Sequence, residues 1–348
     1  MLKKNEQSFL HFSEFELIDY FIKNSSLKKS SNVIVPSGDD AFVGKIGQTF
    51  VVITTDILTE NSDFKLNWYQ NPLISKKFKL NFKQLGIKLA RINLSDIFSM
   101  GKIQPLWAIG NLSLNNKISK KNVQDIFLGI RNELRKFNCE IVGGDISKSK
   151  EISLSLTIIG ITKSKKILLR NSFKVGDYIC VTGTLGDSIA GLKILQNQKK
   201  FLCNKKIKSY LVKRHLYPEI RYETIKFLLP YLTSLTDISD GLYKNLEIMS
   251  QSRKDVVIEI NSDKIPVSEE LKSFCNNKPL KYKNLAISGG EDYEFLFTIN
   301  QKFTHKLNKL KNVHIIGQVK KRKNSKEKIV ITNLEQNISF KSFDHFIK

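Results

Sequence analysis

Acidic residues are the minority charge of this chain, 33 Asp and Glu against 57 Lys and Arg, yet they gather where apolar runs end. The stretch from Gly38 to Phe64 opens on an acidic turn, Gly38, Asp39 and Asp40. It continues through an apolar run from Thr49 to Ile53 and closes on Thr54, Thr55 and Asp56. β-Branched and aromatic residues bounded by turn residues predict a buried strand, with the hydroxyls and the carboxyl held at its end. Such hard oxygen ligands suit magnesium, and magnesium brings phosphates with it. A strand followed by an Asp-capped turn would use the same residues, because Asp bonds readily to nearby backbone. Other acids recur in similar settings: Asp96 in an apolar helical pattern, Asp145 after Gly143 and Gly144, Asp237 and Asp240 around Ser239, and Glu291 with Asp292 in SGGEDYEF. If several converge, each like-charged pair at about 4 Å costs about 4 kcal/mol at an effective dielectric of roughly 20, so cations must complete the site.

The elements that must position these groups are legible in outline. Ser13 and Glu16 form a capping box ahead of a first helix reaching Lys23. Ser75 to Met100 carries a helical stripe of Leu80, Leu85, Leu89, Ile92 and Ile97, with Gly101 as its stop. Asp96 lies between Leu94 and Ile97 on that pattern, where a buried carboxylate without a cation would be costly. Pro105 to Leu114 predicts a strand and Val123 to Phe137 an amphipathic helix. CEIVGGDIS predicts a strand that runs into its glycines, and Ile152 to Thr162 a further strand. Lys163 to Lys174 serves as a junction between domains. In VGDYICVTGTLGDS a strand, a glycine turn and a helix start make a phosphate cradle possible in principle, although the Walker pattern is absent. A helical stretch broken at Pro230 follows from Tyr222 to Leu232, then SLTDISDGL, whose Asp237, Ser239 and Asp240 would serve equally well as helix N-caps. Val256 to Ile260 and the residues after SGGED predict strands.

At 348 residues two domains are expected, and an apolar fraction of 41% is ample for globular cores. No run approaches the roughly 18 consecutive apolar residues of a membrane span, and the start lacks a signal-peptide core, so a cytoplasmic protein without a membrane partner is expected. Cys139, Cys180, Cys203 and Cys275 are spaced for neither zinc nor a disulfide framework. The net charge of +24 comes from lysines scattered through surface-like positions, among them Lys76, Lys83, Lys88 and Lys165. An RNA platform would interleave aromatics with basic residues on one element, and no such stripe occurs, so no nucleic-acid partner is expected.

GDDAFV, TTDILTE, NLSD with SMG, IVGGD, GDYICVTGTLGDS, DISDGL, SGGEDYEF and the closing IGQV and DHF stand in the order found in thiamine-monophosphate kinases. The chain resembles that family from about Phe15 to Phe346, and with it a superfamily that includes aminoimidazole ribonucleotide synthetase, selenophosphate synthetase and a hydrogenase maturation protein. The resemblance implies an α/β, two-domain aminoimidazole ribonucleotide synthetase-like fold, each domain a mixed sheet with packed helices. It implies an N-terminal ATP- and Mg-binding and dimerisation domain over 1–163 and a C-terminal domain over 164–348 that adds nucleotide and substrate contacts. Two copies would pair through their N-terminal sheets. The implied activity is ATP-dependent phosphorylation of thiamine monophosphate to thiamine diphosphate with several Mg2+ ions.

By motif, Asp40, Thr54, Thr55, Asp56, Asp96, Asp145, Asp237 and Asp240 would hold metal. Phe127, Gly144, Asp145, Arg170 and Ser239 would meet ATP, and Asp63, Glu291 and Phe343 the substrate. Asp63 replaces the His that closes the family's TTDxLVEGxHF motif. No catalytic general base is needed, since the nucleophile would be a phosphate oxygen with a second pKa of about 6. The alternatives are another ATP-using enzyme of the superfamily with a different phosphorylated substrate, and a basic RNA-binding protein. The tail supplies a first test: Phe343→Ala should weaken thiamine monophosphate binding by about 0.5 to 1.5 kcal/mol of lost stacking. ATP binding, measured by titration calorimetry on the same variant, should not change.

Overall fold

Two six-stranded sheets organise the computed structural model, which describes residues 14–25, 31–70, 80–197, 199–276, 278–322 and 327–334. The first comprises β1 (Val33–Val35), β2 (Phe42–Ile46), β3 (Thr49–Thr59), β4 (Gln104–Leu114), β5 (Glu140–Lys148) and β6 (Ser153–Thr162), in the order β1-β2-β3-β6-β4-β5. The second comprises β7 (Tyr178–Thr182), β8 (Leu232–Asp237), β9 (Val256–Asn261), β10 (Phe295–Ile299), β11 (Val313–Lys321) and β12 (Ile329–Thr332), in the order β12-β9-β11-β7-β10-β8. Each sheet is mixed: β4 and β5 are parallel in one, β9 and β12 in the other. The proposed boundary after residue 163 falls just past the end of β6.

β3 is longer than its apolar run predicts. β6 pairs with it from Phe50↔Thr162 to Thr59↔Ser153, so ladder hydrogen bonds carry the strand through Thr54, Thr55 and Asp56. The polar triplet therefore lies within the strand, and strand alternation splits it. Thr54 faces inward and is buried, whereas Thr55 faces outward and is exposed. β5 likewise continues through its glycines, pairing Gly144 with Gly110 and Asp145 with Asn111. A Cβ on Gly144 would lie 1.9 Å from the Gly110 carbonyl oxygen, so this position must be glycine for β4 and β5 to pair.

The Phe82–Ser99 helix lies under the inner face of the first sheet and reaches β8 of the second. Asn81 caps it, accepting from the Lys83 N–H while its own N–H donates to Gln84 Oε1. The pattern begun at Ser75 is thus met from Phe82 onward, residues 71–79 lying outside the described residues. Fifteen of the helix's residues are buried, including the charged Lys88 and Arg91. It crosses the Lys120–Arg135 helix at Gly86 and Gly129, where an added Cβ would fall 2.0 Å from the backbone oxygens of Ile126 and Lys83.

One apolar cluster runs from Val52 and Leu154 through Phe98 to Leu228 and Phe297, spanning both halves of the chain. A second, with Ile179, Val181, Ile258 and Leu296, covers the other face of the second sheet. Sequence periodicity passed over β8 and the helices Lys205–Leu216, Glu269–Cys275 and Tyr282–Ser288. The first of these helices, KKIKSYLVKRHL, is so cationic that its buried Leu211, Val212 and Leu216 make no clear stripe. No helix among the described residues is long and apolar enough to cross a membrane. Gly129→Ala should lower the unfolding free energy by about 1 to 3 kcal/mol through overpacking of the helix crossing. Gly143→Ala, whose Cβ would meet nothing within 4 Å, should cost much less in the same denaturant titration.

Candidate active site

The acidic turn after β1, the Phe82–Ser99 helix and the end of β8 meet at one point. Oxygens of Asp40, Asp96 and Asp237 there lie within 4.8 Å of one another. Local donors fix each carboxylate: Thr54 Oγ1 donates to Asp96 Oδ2 at 2.8 Å, Ser95 Oγ to Asp237 Oδ2 at 2.6 Å, and Thr236 Oγ1 to Asp40 Oδ1 at 2.9 Å. Arg170, from the segment between the sheets, donates to the same Asp40 oxygen through Nη2 at 2.6 Å and Nε at 3.1 Å. Its backbone N–H donates to Asp39 Oδ2 at 3.2 Å. β3 is anchored to the helix beside this centre, the Asp56 N–H donating to Asn93 Oδ1 at 3.0 Å.

Burial and mutual repulsion raise four of the carboxyls at and around this centre. Asp96 lies well above the usual carboxylate range because it is buried and faces the charges of Asp56, Asp237 and Asp40, the Thr54 hydroxyl only partly offsetting this. Burial, then Asp40, pushes Asp237 up to about 8. Burial, with the charges of Asp240 and Asp63, pushes Asp56 to about 6 against a hydrogen bond with Asp96. Asp39 also rises to about 6, from burial and the Asp40 charge. Two buried oxygens, Asp40 Oδ2 and Asp237 Oδ1, have no hydrogen-bond partner within the described protein. Buried carboxylate oxygens that are orphaned, all-oxygen in donor type and mutually repulsive suit a divalent cation of the magnesium kind. Asp40, Asp96 and Asp237 are the residues that would hold it.

The remaining candidates are placed variously. Asp56 borders the centre, sharing a hydrogen bond with Asp96, and the charge of Asp240 acts on it. Thr55 faces away, its hydroxyl donating to the Leu156 carbonyl and accepting from Thr157 Oγ1. Asp145 stands exposed on the same outer face, outside the cluster. Phe127 is half exposed and opens, with Arg131, Arg135, Asn138 and Glu140, a cavity of about 370 Å³. The Ser239 carbonyl accepts the Glu291 N–H at 2.6 Å, which ties the DISD loop to the glycine turn. Asp63 Oδ2 accepts the Thr59 N–H at 2.7 Å, closing the loop after β3. Phe343 lies outside the described residues.

Three sequence readings change. The glycine turn of GTLGDS is no open phosphate cradle, because the buried Asp292 carboxylate already accepts the N–H groups of Gly186 at 2.6 Å and Ser188 at 3.1 Å. Asp292 is therefore a helix-capping acid and stands apart from the acidic centre. Asp237, Ser239 and Asp240 are not N-caps, since the following helix is capped by Gly241 with no side-chain bond. Lys88, counted among surface lysines, is only 1% exposed and forms an ion pair with Glu291. Periodicity could have found it, for Lys88 stands eight residues before Asp96 on the same apolar helix. Ser95 and Thr236, direct neighbours in sequence of two acids, carried no separate signal.

Two-domain α/β proteins of the AIR synthase related class have this architecture, and the chain matches both of its family models. Residues 38–162 match the AIR synthase related protein, N-terminal domain, and residues 174–330 the AIR synthase related protein, C-terminal domain. Within that class the similarity narrows. The thiamine-monophosphate kinase of Buchnera aphidicola subsp. Schizaphis graminum is 36% identical over 352 residues, covering 97% of this chain and all of the relative. That of Aquifex aeolicus is 34% identical over 288 residues, covering 82% and 85%. A solved structure, AaThiL complexed with AMPPCP and TMP, superposes with a TM-score of 0.82 at 30% identity over 98% of this chain and 100% of that one. The chain belongs to the thiamine-monophosphate kinase family.

The raised carboxyls have a consequence for stability. Between the unperturbed value of 3.8 and the folded value of about 8, Asp237 binds its proton more tightly in the folded than in the unfolded chain. Unfolding then releases protons, so stability falls as pH rises through that window. In chelator, the denaturant midpoint of the wild type should drop between pH 5 and pH 8, and Asp237→Asn should show a shallower drop and higher stability at pH 8.

Proposed function

We propose that this chain transfers the γ-phosphoryl group of ATP directly to thiamine monophosphate, forming thiamine diphosphate and ADP. The observation that carries the reading is the buried Asp40, Asp96 and Asp237 centre, whose orphaned oxygens ask for cations between two polyanionic substrates. Membership of the thiamine-monophosphate kinase family, and a relative solved with an ATP analogue and TMP, support the choice of substrates. The SGGEDYEF motif, by its resemblance to that of the thiamine enzymes, favours this substrate over those of other superfamily enzymes.

The chain's own residues have positioning and electrostatic work to do. The incoming phosphate oxygen is largely ionised near neutral pH, its second pKa being about 6, so no side chain need remove a proton. His215 fits that view, since burial and the Lys88 charge push it down to about 3 and keep it neutral. Mg2+ held by Asp40, Asp96 and Asp237, with Asp56 and Asp240 beside them, would neutralise phosphoryl charge and align donor with acceptor. Thr54, Ser95 and Thr236 orient the carboxylates, and Arg170 holds one Asp40 oxygen while leaving the other available.

We assign the nucleotide to the side of Arg170, Ser239 and Gly144, and its base to the cavity of Phe127 and Arg131, whose buried Nε has no partner among the described residues. Glu291 would meet the heterocycle of the substrate. Thr55 and Asp145 stand on the outer sheet face with the exposed Ile57, Trp107 and Ile109, an apolar surface that supports pairing of two copies there. A cytoplasmic location agrees with the substrates.

The test is thiamine diphosphate formation from thiamine monophosphate, ATP and magnesium, followed by chromatography. Asp96→Asn should cut kcat at least about a hundredfold, in line with the loss of one centrally placed electrostatic group. Retention of more than a tenth of wild-type kcat would remove Asp96 from the metal centre.

A further inference from the structure

Lys88 is a buried charged residue that neither the acidic centre nor the cavity beside Phe127 accounts for. Its ammonium is closed off, with the side chain 1% exposed, while the Glu291 carboxylate it binds through Nζ is 30% exposed. Here the cation lies behind the acid, and the acid is presented. The surroundings are polar at their edges: His215 Nδ1 is 3.9 Å from Glu291 Oε2 and 3.0 Å from Ser188 Oγ. His215 Nε2 and the Tyr69 hydroxyl are both buried without a hydrogen-bond partner among the described residues. The Glu291 charge is felt at both Tyr69 and Tyr293, and Trp68 packs edge-on to His215 with ring centroids 5.9 Å apart. The Glu291 carboxylate is thus bordered by aromatic side chains and by the imidazole of His215.

The main chain of Glu291 is equally constrained. Glu291 and Tyr293 both take left-handed φ, 63° and 51°, strain that the surroundings must hold in place. The Glu291 N–H donates to Ser239 O and the Tyr293 N–H to Ile238 O, while a Cβ on Gly290 would lie 2.6 Å from Ser239 O. The backbone of Glu291 is thereby fixed to the loop carrying Asp237 and Asp240. Its side chain is fixed to the helix carrying Asp96. Lys88 and Asp96 are eight residues apart on that straight helix, a rise of about 12 Å.

From this geometry we infer that Lys88 is a positioning residue for substrate selection: it sets the Glu291 carboxylate at a fixed distance from the acidic centre. One rigid helix then gauges both ends of a substrate that carries phosphate at one end and an amino-bearing heterocycle at the other. The inference rests on the kinase reading above and adds to it the residue that acts through Glu291. No contact of Lys88 with either substrate is needed.

The experiment is a double-mutant cycle on the full-length enzyme with Lys88→Met, Glu291→Gln and the double variant, measuring kcat, KM for thiamine monophosphate and KM for ATP. Lys88→Met should raise KM for thiamine monophosphate about tenfold or more, with kcat and KM for ATP changing by less than about threefold. In the Glu291→Gln background the same substitution should add less than about twofold, because its effect passes through a carboxylate that is no longer there. Glu291→Gln alone strands the buried Lys88 ammonium, whereas the double variant removes that charge, so the double variant still reports on the pair where Glu291→Gln fails to fold. Multiplicative effects on KM, or an equal loss in KM for ATP, would overturn the inference. Absence of thiamine diphosphate formation by the wild type would sink the kinase reading instead, and the two failures are therefore distinct.

Discussion

Three carboxyl groups crowd into a space from which water is largely excluded, and most of the architecture around them makes sense as the means of holding them there. Left alone, like charges within 4.8 Å would separate or take up protons. The fold prevents separation by bringing Asp40, Asp96 and Asp237 from three elements that are each fixed elsewhere: a turn tied to Arg170, a helix jammed against its neighbour at glycines, and the last residue of β8 at the edge of the second sheet. It answers each carboxylate with one hydroxyl, from Thr54, Ser95 or Thr236, and leaves two oxygens without any donor. Protonation is the protein's fallback in the absence of cations, and cations bound there would release those protons.

The Phe82–Ser99 helix is the member on which this arrangement turns. It is apolar enough to be buried along most of its length, yet its buried residues include Lys88, Arg91, Asn93 and Ser95, with Asp96 half-buried beside them. Each has a specific partner: Glu291, Glu133 with Tyr217, the β3 backbone, Asp237 and Thr54. Partners drawn from both sheets make the helix the rigid connection between the two halves of the site. A second buried network, in which Arg214 and Arg221 serve Glu294, secures β10 and the glycine turn behind it. There a Cβ on Gly183 would fall 2.1 Å from Glu294 Oε1, which explains the glycine without any phosphate.

Acidic residues at the ends of apolar runs were a sound guide in the sequence because a lysine-rich chain has little other reason to place carboxylates beside buried strands. Asp40, Asp96 and Asp237 were named on that ground, and their types alone suggested magnesium and phosphate. The ordered motifs carried the family, and the two-domain α/β class followed with it. The broad element map was also legible where periodicity was strong, as at Val123 to Phe137 and Ile152 to Thr162.

Which acids meet was a matter for the tertiary structure. Asp292 and Asp237 are both acids next to glycine-rich turns, but pairing within the second sheet sends one to cap a helix and the other to the centre. Thr54 and Thr55 are adjacent and chemically identical, yet the extension of β3 along β6 turns one inward and the other out. Periodicity on its apolar helix could mark Lys88 as buried, but its partner lies 203 positions away, and no local pattern can encode a contact of that span. Residue type and short-range spacing determine what chemistry is available and which face a side chain takes once an element's limits are known. Long-range pairing of strands and helices decides those limits, and with them which of the available groups come within bonding distance.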